Sequence, residues 1–226
     1  MTSDPATAPV TAQALTAVFF TILLGLTLMR DGGRDGVDVR PAIRAADRGW
    51  VRRLRAQHGG GALVSVELDQ WDDAGVLLLA TSAGVPVGSL RYLLGSPPDM
   101  PYADRMPAFV PTLPAGSRYV DVGRLVVVPE QRYFGVTAAL ALSVLQDLPS
   151  LRAEGVVTVA ADAALPYYRR MGYRTAARGE YKGGPYHLLA IDDLAFPMLT
   201  AIRAFVAAAR SAPAWRLDPI IAPPRA

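Results

Sequence analysis

The sequence contains no cysteine, which excludes disulfide bonds, thiolate metal sites and cysteine nucleophiles. Histidine is scarce as well, since His58 and His187 are the only two and lie far apart in the sequence. No histidine pair has the spacing of a metal site. We therefore expect a protein that uses neither a covalent thiol intermediate nor a metal ion.

Lysine is also nearly absent: Lys182 is the only one, and the other basic side chains are arginines. These arginines are dispersed along the chain and the net charge is only +3. This distribution gives little support for nucleic-acid binding. The length of 226 residues, of which 51% are hydrophobic, is sufficient for one domain with its own core and extensions.

Charged residues are missing altogether between residues 6 and 29. Residues 10–29 are long enough to cross a bilayer as a helix, and the segment lacks the basic start and cleavage site of a signal peptide. We interpret residues 1–36 as a hydrophobic helix and linker that either anchors the protein in a membrane or packs on the domain. Arginines follow the segment whereas only Asp4 precedes it, which predicts a cytoplasmic domain at the inner face of the cell membrane.

A strand, a turn and a helix follow one another between Leu125 and Leu140. Pro129 ends a run of valines, the next residues bring Arg132 and Gly135, and an Ala/Leu-rich helix follows. This order directs the unpaired N–H groups of a helix N-terminus beyond the end of the strand, where they favour an anion. The sequence predicts a site for a pyrophosphate or a phosphopantetheine arm.

This segment resembles the acyl-CoA-binding motif of the GNAT superfamily of N-acyltransferases, V-x-P-x-x-R/Q-G/x-x-G-x-G/A-x-x-L. The matching residues are Val127, Pro129, Arg132, Gly135 and Leu140. The resemblance implies an α/β GNAT fold, with a mixed central sheet flanked by helices and a splayed central strand pair that receives the thioester. It also implies an oxyanion-stabilising backbone N–H near Val127 and donor-binding residues Val128, Gln131, Arg132, Tyr133, Phe134, Gly135, Val136 and Thr137.

A second segment, residues 164–173, resembles the later GNAT motif A-x-x-L-Y-E-K-L-G-F. It follows a predicted strand at residues 156–160 and forms a predicted helix over residues 163–170, which Gly172 ends. Tyr168 falls on the tyrosine that often acts as a general acid in this family. Its role would be to protonate the departing thiolate. The alternative is a tyrosine that only packs the helix against the sheet.

The region before the first motif is similar to acyl-homoserine-lactone synthases and N-acyl amino acid synthases, a GNAT branch that uses long acyl chains. Predicted elements here are a strand from residue 37, a helix over 43–58, and a hairpin of 76–80 and 85–94 turning at residues 82–84. The branch motif E-x-D-Q-F-D is matched by Asp69 and Asp72, G-x-x-R-L-L by Arg91, and E-x-x-R by Asp121 and Arg124, with aspartate in place of glutamate. We expect Asp69, Asp72, Arg91 and Arg124 to bind substrate. Asp121, placed just before a predicted strand over 122–128, is expected to act as base. The alternative is a structural ion-pair network.

The resemblance implies transfer of a medium or long acyl chain from acyl-CoA or acyl-carrier protein to a primary amine such as an amino acid. It fails at residues 48–61, where lactone synthases carry an R…F…W signature of their S-adenosylmethionine pocket. A different acceptor amine is therefore expected. Three alternatives remain: a short-chain acetyltransferase, a non-catalytic acyl-thioester-binding module, and a membrane-tethered interaction protein.

Two further segments complete the predicted organisation. The acyltransferase domain is expected to cover residues 37–193. Residues 194–226 contain apolar residues at helical spacing after Pro197 and then a proline-rich tail. We expect a helix that caps the sheet or pairs with the N-terminal helix.

Overall fold

The computed structural model describes residues 37–59, 66–131, 136–170 and 172–192. Three predictions lie outside these residues: the N-terminal hydrophobic helix with its linker, the loop of residues 132–135, and the C-terminal helix. No helix within the described ranges is long and apolar enough to cross a membrane.

The described residues form one mixed seven-stranded sheet with helices on both faces. The strands are β1 Val37–Pro41, β2 Val76–Ser82, β3 Val85–Gly95, β4 Tyr119–Val127, β5 Gly155–Ala161, β6 Arg174–Tyr181 and β7 Gly184–Ile191. The helices are α1 Ala45–His58, α2 Gln70–Ala74, α3 Val136–Leu151 and α4 Leu165–Arg170. The strand order is β1-β2-β3-β4-β5-β7-β6.

The centre of the sheet is splayed between β4 and β5. These two strands are parallel and pair only where Tyr119, Val120 and Asp121 face Gly155, Val156 and Val157. All the other neighbouring strands are antiparallel. Beyond Asp121 and Val157 the two strands part and leave a gap in the sheet, which confirms the predicted splayed pair.

Alternate residues of β5 show what covers each face of the sheet, because successive side chains of a strand point to opposite sides. Val156 packs in the core that α3 covers, and Ala160 packs against Leu165 of α4. Val157 and Val159 instead pack with the segment of residues 96–118. Helices α3 and α4 therefore share one face, while α1 and the 96–118 segment cover the other.

The predicted hairpin is confirmed and has a sharp turn. Ser82 pairs with Val85, so only Ala83 and Gly84 form the loop. Both have a positive φ, 48° and 80° respectively. This is the type I′ geometry that matches the twist of the two strands.

The predicted start of β4 was wrong. The strand predicted over residues 122–128 begins at Tyr119, so Asp121 lies within β4 rather than before it. Aspartate is disfavoured in strands. Here the carboxylate is buried in the sheet opposite Leu93 and hydrogen-bonds to Arg91 of β3, which offsets the cost of burying its charge.

Candidate functional site: a polar cluster at the sheet gap

Five charged side chains meet beside the splayed strands, and we call them the polar cluster: Asp69, Arg91, Arg105, Asp121 and Arg124. Arg124 Nη2 lies 2.6 Å from Asp69 Oδ2, and Arg91 Nη2 lies 3.0 Å from Asp121 Oδ2. Longer contacts join Asp69 to Arg91 at 3.7 Å and to Arg105 at 3.9 Å. Three of the four residues predicted to bind substrate and the predicted base are thus brought together.

Local backbone structure fixes the position of each member of the polar cluster. Asp69 is the N-cap of α2, where its carboxylate accepts hydrogen bonds from the Trp71 and Asp72 amides. The register between β3 and β4 shifts after Gly123, which indicates a bulge. In this bulge Arg124 has φ 57°, an unusual conformation for a residue with a side chain, and its guanidinium reaches Asp69.

The polar cluster lines an open cavity of about 60 Å³. The cavity lies between the sheet gap and the 96–118 segment, on the face opposite α3 and α4. Its lining residues are Arg91, Pro101, Tyr102, Arg105, Met106, Asp121, Gly123, Arg124 and Val159. Sequence reasoning missed Tyr102 and Arg105, because they lie in a segment without a recognisable motif.

Burial shifts the proton affinities around this cavity. Burial raises the pKa of Asp121 more than the Arg91 guanidinium lowers it. Burial, followed by the charge of Arg105, lowers the pKa of Arg124. A carboxyl group that gains proton affinity and faces a cavity has the properties of a general base.

The structure places Asp72, the fourth predicted substrate-binding residue, away from the cavity. Both of its carboxylate oxygens accept hydrogen bonds from Arg55 at 2.7 Å, and both side chains are fully buried. Burial opposes ionisation of Asp72, but the hydrogen bonds from Arg55 and from the Asp69 amide outweigh it, so the pKa is lowered. Arg55 was missed in the sequence because it lies in the 48–61 region, where the family signature fails.

Tyr168 lies on the opposite face, in the short helix α4. The helix ends at Arg170, as predicted, and Gly172 follows it at the C′ position with φ 91°. The Gly172 amide donates to the Arg169 carbonyl and the Tyr173 amide to that of Tyr168, as in a Schellman motif. Tyr173 also packs edge-on against the Tyr168 ring, with 5.3 Å between the ring centroids.

The Tyr168 hydroxyl points to the edge of the sheet gap. It is hydrogen-bonded to the side chain of Thr158, the first residue of β5 beyond the part paired with β4. Burial raises the pKa of Tyr168, so the phenol keeps its proton at neutral pH. The next residue, Val159, lines the cavity on the other face. The gap therefore lies between the tyrosine and the polar cluster.

The backbone of β4 supplies a donor to the same gap. The Val128 amide donates to the Val87 carbonyl of β3 at 2.9 Å. Successive amides of an extended strand point to opposite sides. The Val127 N–H, predicted to bind an oxyanion, is therefore directed away from β3 and towards the open side of the strand.

The predicted donor-binding segment is described only at its two ends. Before the loop, the Gln131 amide donates to the Val128 carbonyl. After it, the Val136 side chain is fully buried in the core and Thr137 is half-buried in the first turn of α3. The residues between, Arg132, Tyr133, Phe134 and Gly135, lie outside the described residues.

Comparison with known proteins places this geometry in a known fold. No protein-family model matches the sequence, and no curated protein matches it. Solved structures do match. FeeM, an N-acyl amino acid synthase from uncultured soil microbes, is 16% identical with a TM-score of 0.55, covering 70% of this chain and 91% of that chain.

Two other similar structures extend the comparison. The CoA-dependent acyl-homoserine lactone synthase BjaI, solved with SAM and isopentyl-CoA, is 15% identical with a TM-score of 0.56, covering 76% of this chain and 90% of that chain. NAA60 of Arabidopsis thaliana, solved with acetyl-CoA, is 16% identical with a TM-score of 0.50, covering 69% and 97%. At these identities the likeness establishes the architecture rather than the reaction. The chain has the GNAT fold.

Proposed function

We propose that the protein is an N-acyltransferase that moves an acyl group from a thioester donor to a small primary amine. The observation that carries this proposal is the sheet gap, which has a protonated tyrosine on one side and a buried carboxylate in an open cavity on the other. Proton donor and proton acceptor thus flank one opening. A proton donor and a proton acceptor both assist direct transfer of an acyl group between two substrates.

The donor would lie on the side of α3 and α4, with its pantetheine arm along the parted strands. Its phosphates would meet the Gln131–Thr137 segment at the N-terminus of α3, where unpaired amides favour an anion. This location leaves the thioester carbonyl in the gap. The Val127 N–H would then donate to the oxygen as negative charge develops on it.

The acceptor would enter from the cavity on the other face. Asp121 would take the proton from the amine as its nitrogen bonds to the carbonyl carbon. The bond from carbon to sulfur then breaks, and Tyr168 would protonate the departing thiolate. The products are an amide and a free thiol, and no covalent enzyme intermediate is needed.

The remaining members of the polar cluster would bind and orient the acceptor. Arg91 and Arg124 line the cavity, and Asp69 holds Arg124 in place. Asp72 has no access to the cavity in this arrangement, and we therefore give it a positioning role through the cap of α2. The cluster is then both an ion-pair network and a binding surface.

The finer features of the proposal rest on the sequence. An apolar segment at residues 10–29 favours a medium or long acyl chain and association with the inner face of a membrane. FeeM is an N-acyl amino acid synthase and BjaI is CoA-dependent. These likenesses support acyl-CoA as donor and an amino acid as acceptor, while an acyl-carrier protein is an alternative donor that only the sequence resemblance implies.

The test is turnover by the full-length protein in detergent. Thiol release is followed with acyl-CoAs from acetyl to palmitoyl and with acyl-carrier-protein donors, against pooled amino acids and amines, and products are identified by mass. Amide products from long chains support the proposal, and preference for acetyl-CoA makes the protein a short-chain acetyltransferase. Donor binding without any turnover would contradict an enzymatic role and indicate a binding module.

A further inference from the structure

Two residues that line the cavity, Tyr102 and Arg91, have buried side-chain hydrogen-bond donors that no described residue satisfies. The Tyr102 hydroxyl is buried, with only 3% of the residue exposed, and has no hydrogen-bond partner among the described residues. The same holds for Nε and Nη1 of Arg91, a residue only 2% exposed. Arg91 Nη1 lies 3.7 Å from Asp69 Oδ1, too far for a hydrogen bond. Buried donors without partners are costly, so such a concentration indicates a ligand.

The residue types of the polar cluster also suit an anion. The cluster contains three arginines and two aspartates, so positive side chains outnumber negative ones at the cavity. A ligand group that carries a negative charge and oxygen acceptors would satisfy the donors of Tyr102 and Arg91.

The backbone of the 96–118 segment fixes the two cavity residues that it contributes. The Tyr102 carbonyl accepts hydrogen bonds from the Met106 amide at 2.7 Å and from the Arg105 amide at 3.2 Å. Burial, and then the charge of Asp121, raises the pKa of Tyr102. The hydroxyl therefore keeps its proton at neutral pH, and it can donate a hydrogen bond to an anion.

We propose that this cavity is an anion subsite, in which the Tyr102 hydroxyl and the free edge of Arg91 bind a carboxylate of the acceptor. The inference rests on the proposed function and deepens it, because it makes the acceptor an amine with a carboxylate close to the amino group. Asp121 lies beside Arg91, so such an acceptor brings its nitrogen to the base. Tyr102 is then a specificity-determining residue.

The size of the cavity limits the acceptor group. One buried water needs roughly 10–15 Å³ of such volume. A cavity of about 60 Å³ therefore has room for a carboxylate and the carbon that carries the amine. Any larger side chain would extend through the open side.

Ligand-induced stabilisation of the full-length protein tests the subsite without requiring turnover. The probes are glycine, L-alanine and L-leucine, each against its amide and amino alcohol, with acetate and inorganic phosphate as free anions. We expect the amino acids to raise the Tm, and the amides and alcohols to have no effect. Equal shifts from the acids and their amides would overturn the subsite, as would equal shifts from amino acids, acetate and phosphate.

Tyr102→Phe removes only the hydroxyl. No bond to a described residue is lost, so we expect an unchanged or higher Tm for the variant and a loss of most of the carboxylate-dependent shift. Tyr119→Phe is the matched control, because Tyr119 is also buried but its hydroxyl bonds to Asp192. That control should lower the Tm and keep the ligand response. A lower Tm with an intact ligand response in Tyr102→Phe would make Tyr102 structural and overturn the proposal.

Kinetics separate this inference from the proposed function. In Tyr102→Phe, the KM for a carboxylate-bearing amine should rise about 10-fold or more, as expected for one hydrogen bond to a charged group, while the KM for the acyl donor stays constant. Turnover that does not depend on the carboxylate would support the acyltransferase activity and contradict the subsite. Carboxylate-dependent stabilisation without turnover from any donor would support the subsite and contradict the acyltransferase activity.

Discussion

Two arginine–aspartate clusters begin three residues apart, at Asp69 and Asp72, and they have opposite properties. Asp72 and Arg55 form a two-bond pair whose side chains are fully buried. Asp69 is 26% exposed and contacts three arginines at distances from 2.6 to 3.9 Å. The same residue types thus form a sealed pair in one place and the wall of a cavity in the other.

The two clusters are joined through the cap of α2. Asp72 Oδ2 accepts from the Asp69 amide at 3.0 Å, and Asp69 Oδ1 accepts from the Asp72 amide at 3.1 Å. This capping box transmits the position of the buried pair to the carboxylate that holds Arg124. Solvent access, rather than residue type, decides which cluster can meet a substrate.

The largest expected effect is on folding. Arg55→Met leaves Asp72 buried without its partner and should lower the free energy of unfolding by about 3–5 kcal/mol, measured by urea denaturation. Arg52→Met, on the same helix, is the control because its pair with Glu67 is exposed. It should change stability by less than about 0.5 kcal/mol. Similar losses in both variants would remove the distinction between sealed and open pairs.

The pH dependence of folding sharpens the same comparison. Folding lowers the pKa of Asp72 below its ordinary value of 3.8. The ionised carboxylate therefore contributes its full stabilisation at pH values above 3.8. It is lost as pH falls through the lower folded-state pKa. In Asp72→Asn this acid-induced loss should be smaller, as measured by unfolding at a series of pH values. An unchanged acid profile would contradict the assignment.

The second effect is on turnover. Asp121→Asn keeps the shape of the side chain but removes the base, and should reduce kcat by about 100-fold. Asp121 acts when deprotonated and its pKa is raised. Wild-type activity should therefore increase with pH through a pKa above the ordinary aspartate value, and the variant should lack this rise in its pH–activity profile. A variant that keeps both the turnover and the rise with pH would show that Asp121 is only an ion-pair partner.

Removal of the proton donor should have a smaller effect. Tyr168→Phe should lower kcat by roughly 10- to 100-fold with little change in the KM of the donor. Tyr92→Phe is the control, since its hydroxyl bonds to Asp147 and not to a residue of the gap. Unchanged turnover in Tyr168→Phe would leave the tyrosine with a packing role alone.

The smallest effect concerns the residue that holds the tyrosine. Thr158→Val removes the hydroxyl to which Tyr168 is bonded and should lower kcat by about 3- to 10-fold, since one neutral hydrogen bond is worth about 1 kcal/mol. In a Tyr168→Phe background the same change should have no further effect. Additive losses, measured in a double-mutant cycle, would mean that Thr158 acts independently of Tyr168.

The sequence predicted those parts of the fold that depend on local patterns. Runs of valine, glycine turns and the Ala/Leu helix marked β5, the β2–β3 hairpin and α3, because each is specified by short-range spacing. The start of β4 was missed, since an aspartate within a strand is stabilised there only by Arg91 of the neighbouring strand. That partner is 30 residues away and has no local signal.

The residues of the candidate site were likewise predictable only where a local motif marks them. Asp69, Arg91, Asp121 and Arg124 were recognised from motifs, and the structure brings them together. The sealing of Asp72 by Arg55 depends on how α1 packs and could not be deduced from spacing. Tyr102 and Arg105 reach the cavity from turns in the 96–118 segment, whose path across the sheet is set by tertiary packing of Met100, Phe109 and Leu113.

The most direct test of the account is a crystal structure of the full-length protein with a non-hydrolysable acyl-CoA analogue. We predict that the carbonyl lies between β4 and β5 beyond Asp121 and Val157. Its oxygen should accept from the Val127 N–H, and the atom that replaces sulfur should lie near the Tyr168 hydroxyl. An analogue bound with its carbonyl outside this gap would contradict the proposed mechanism.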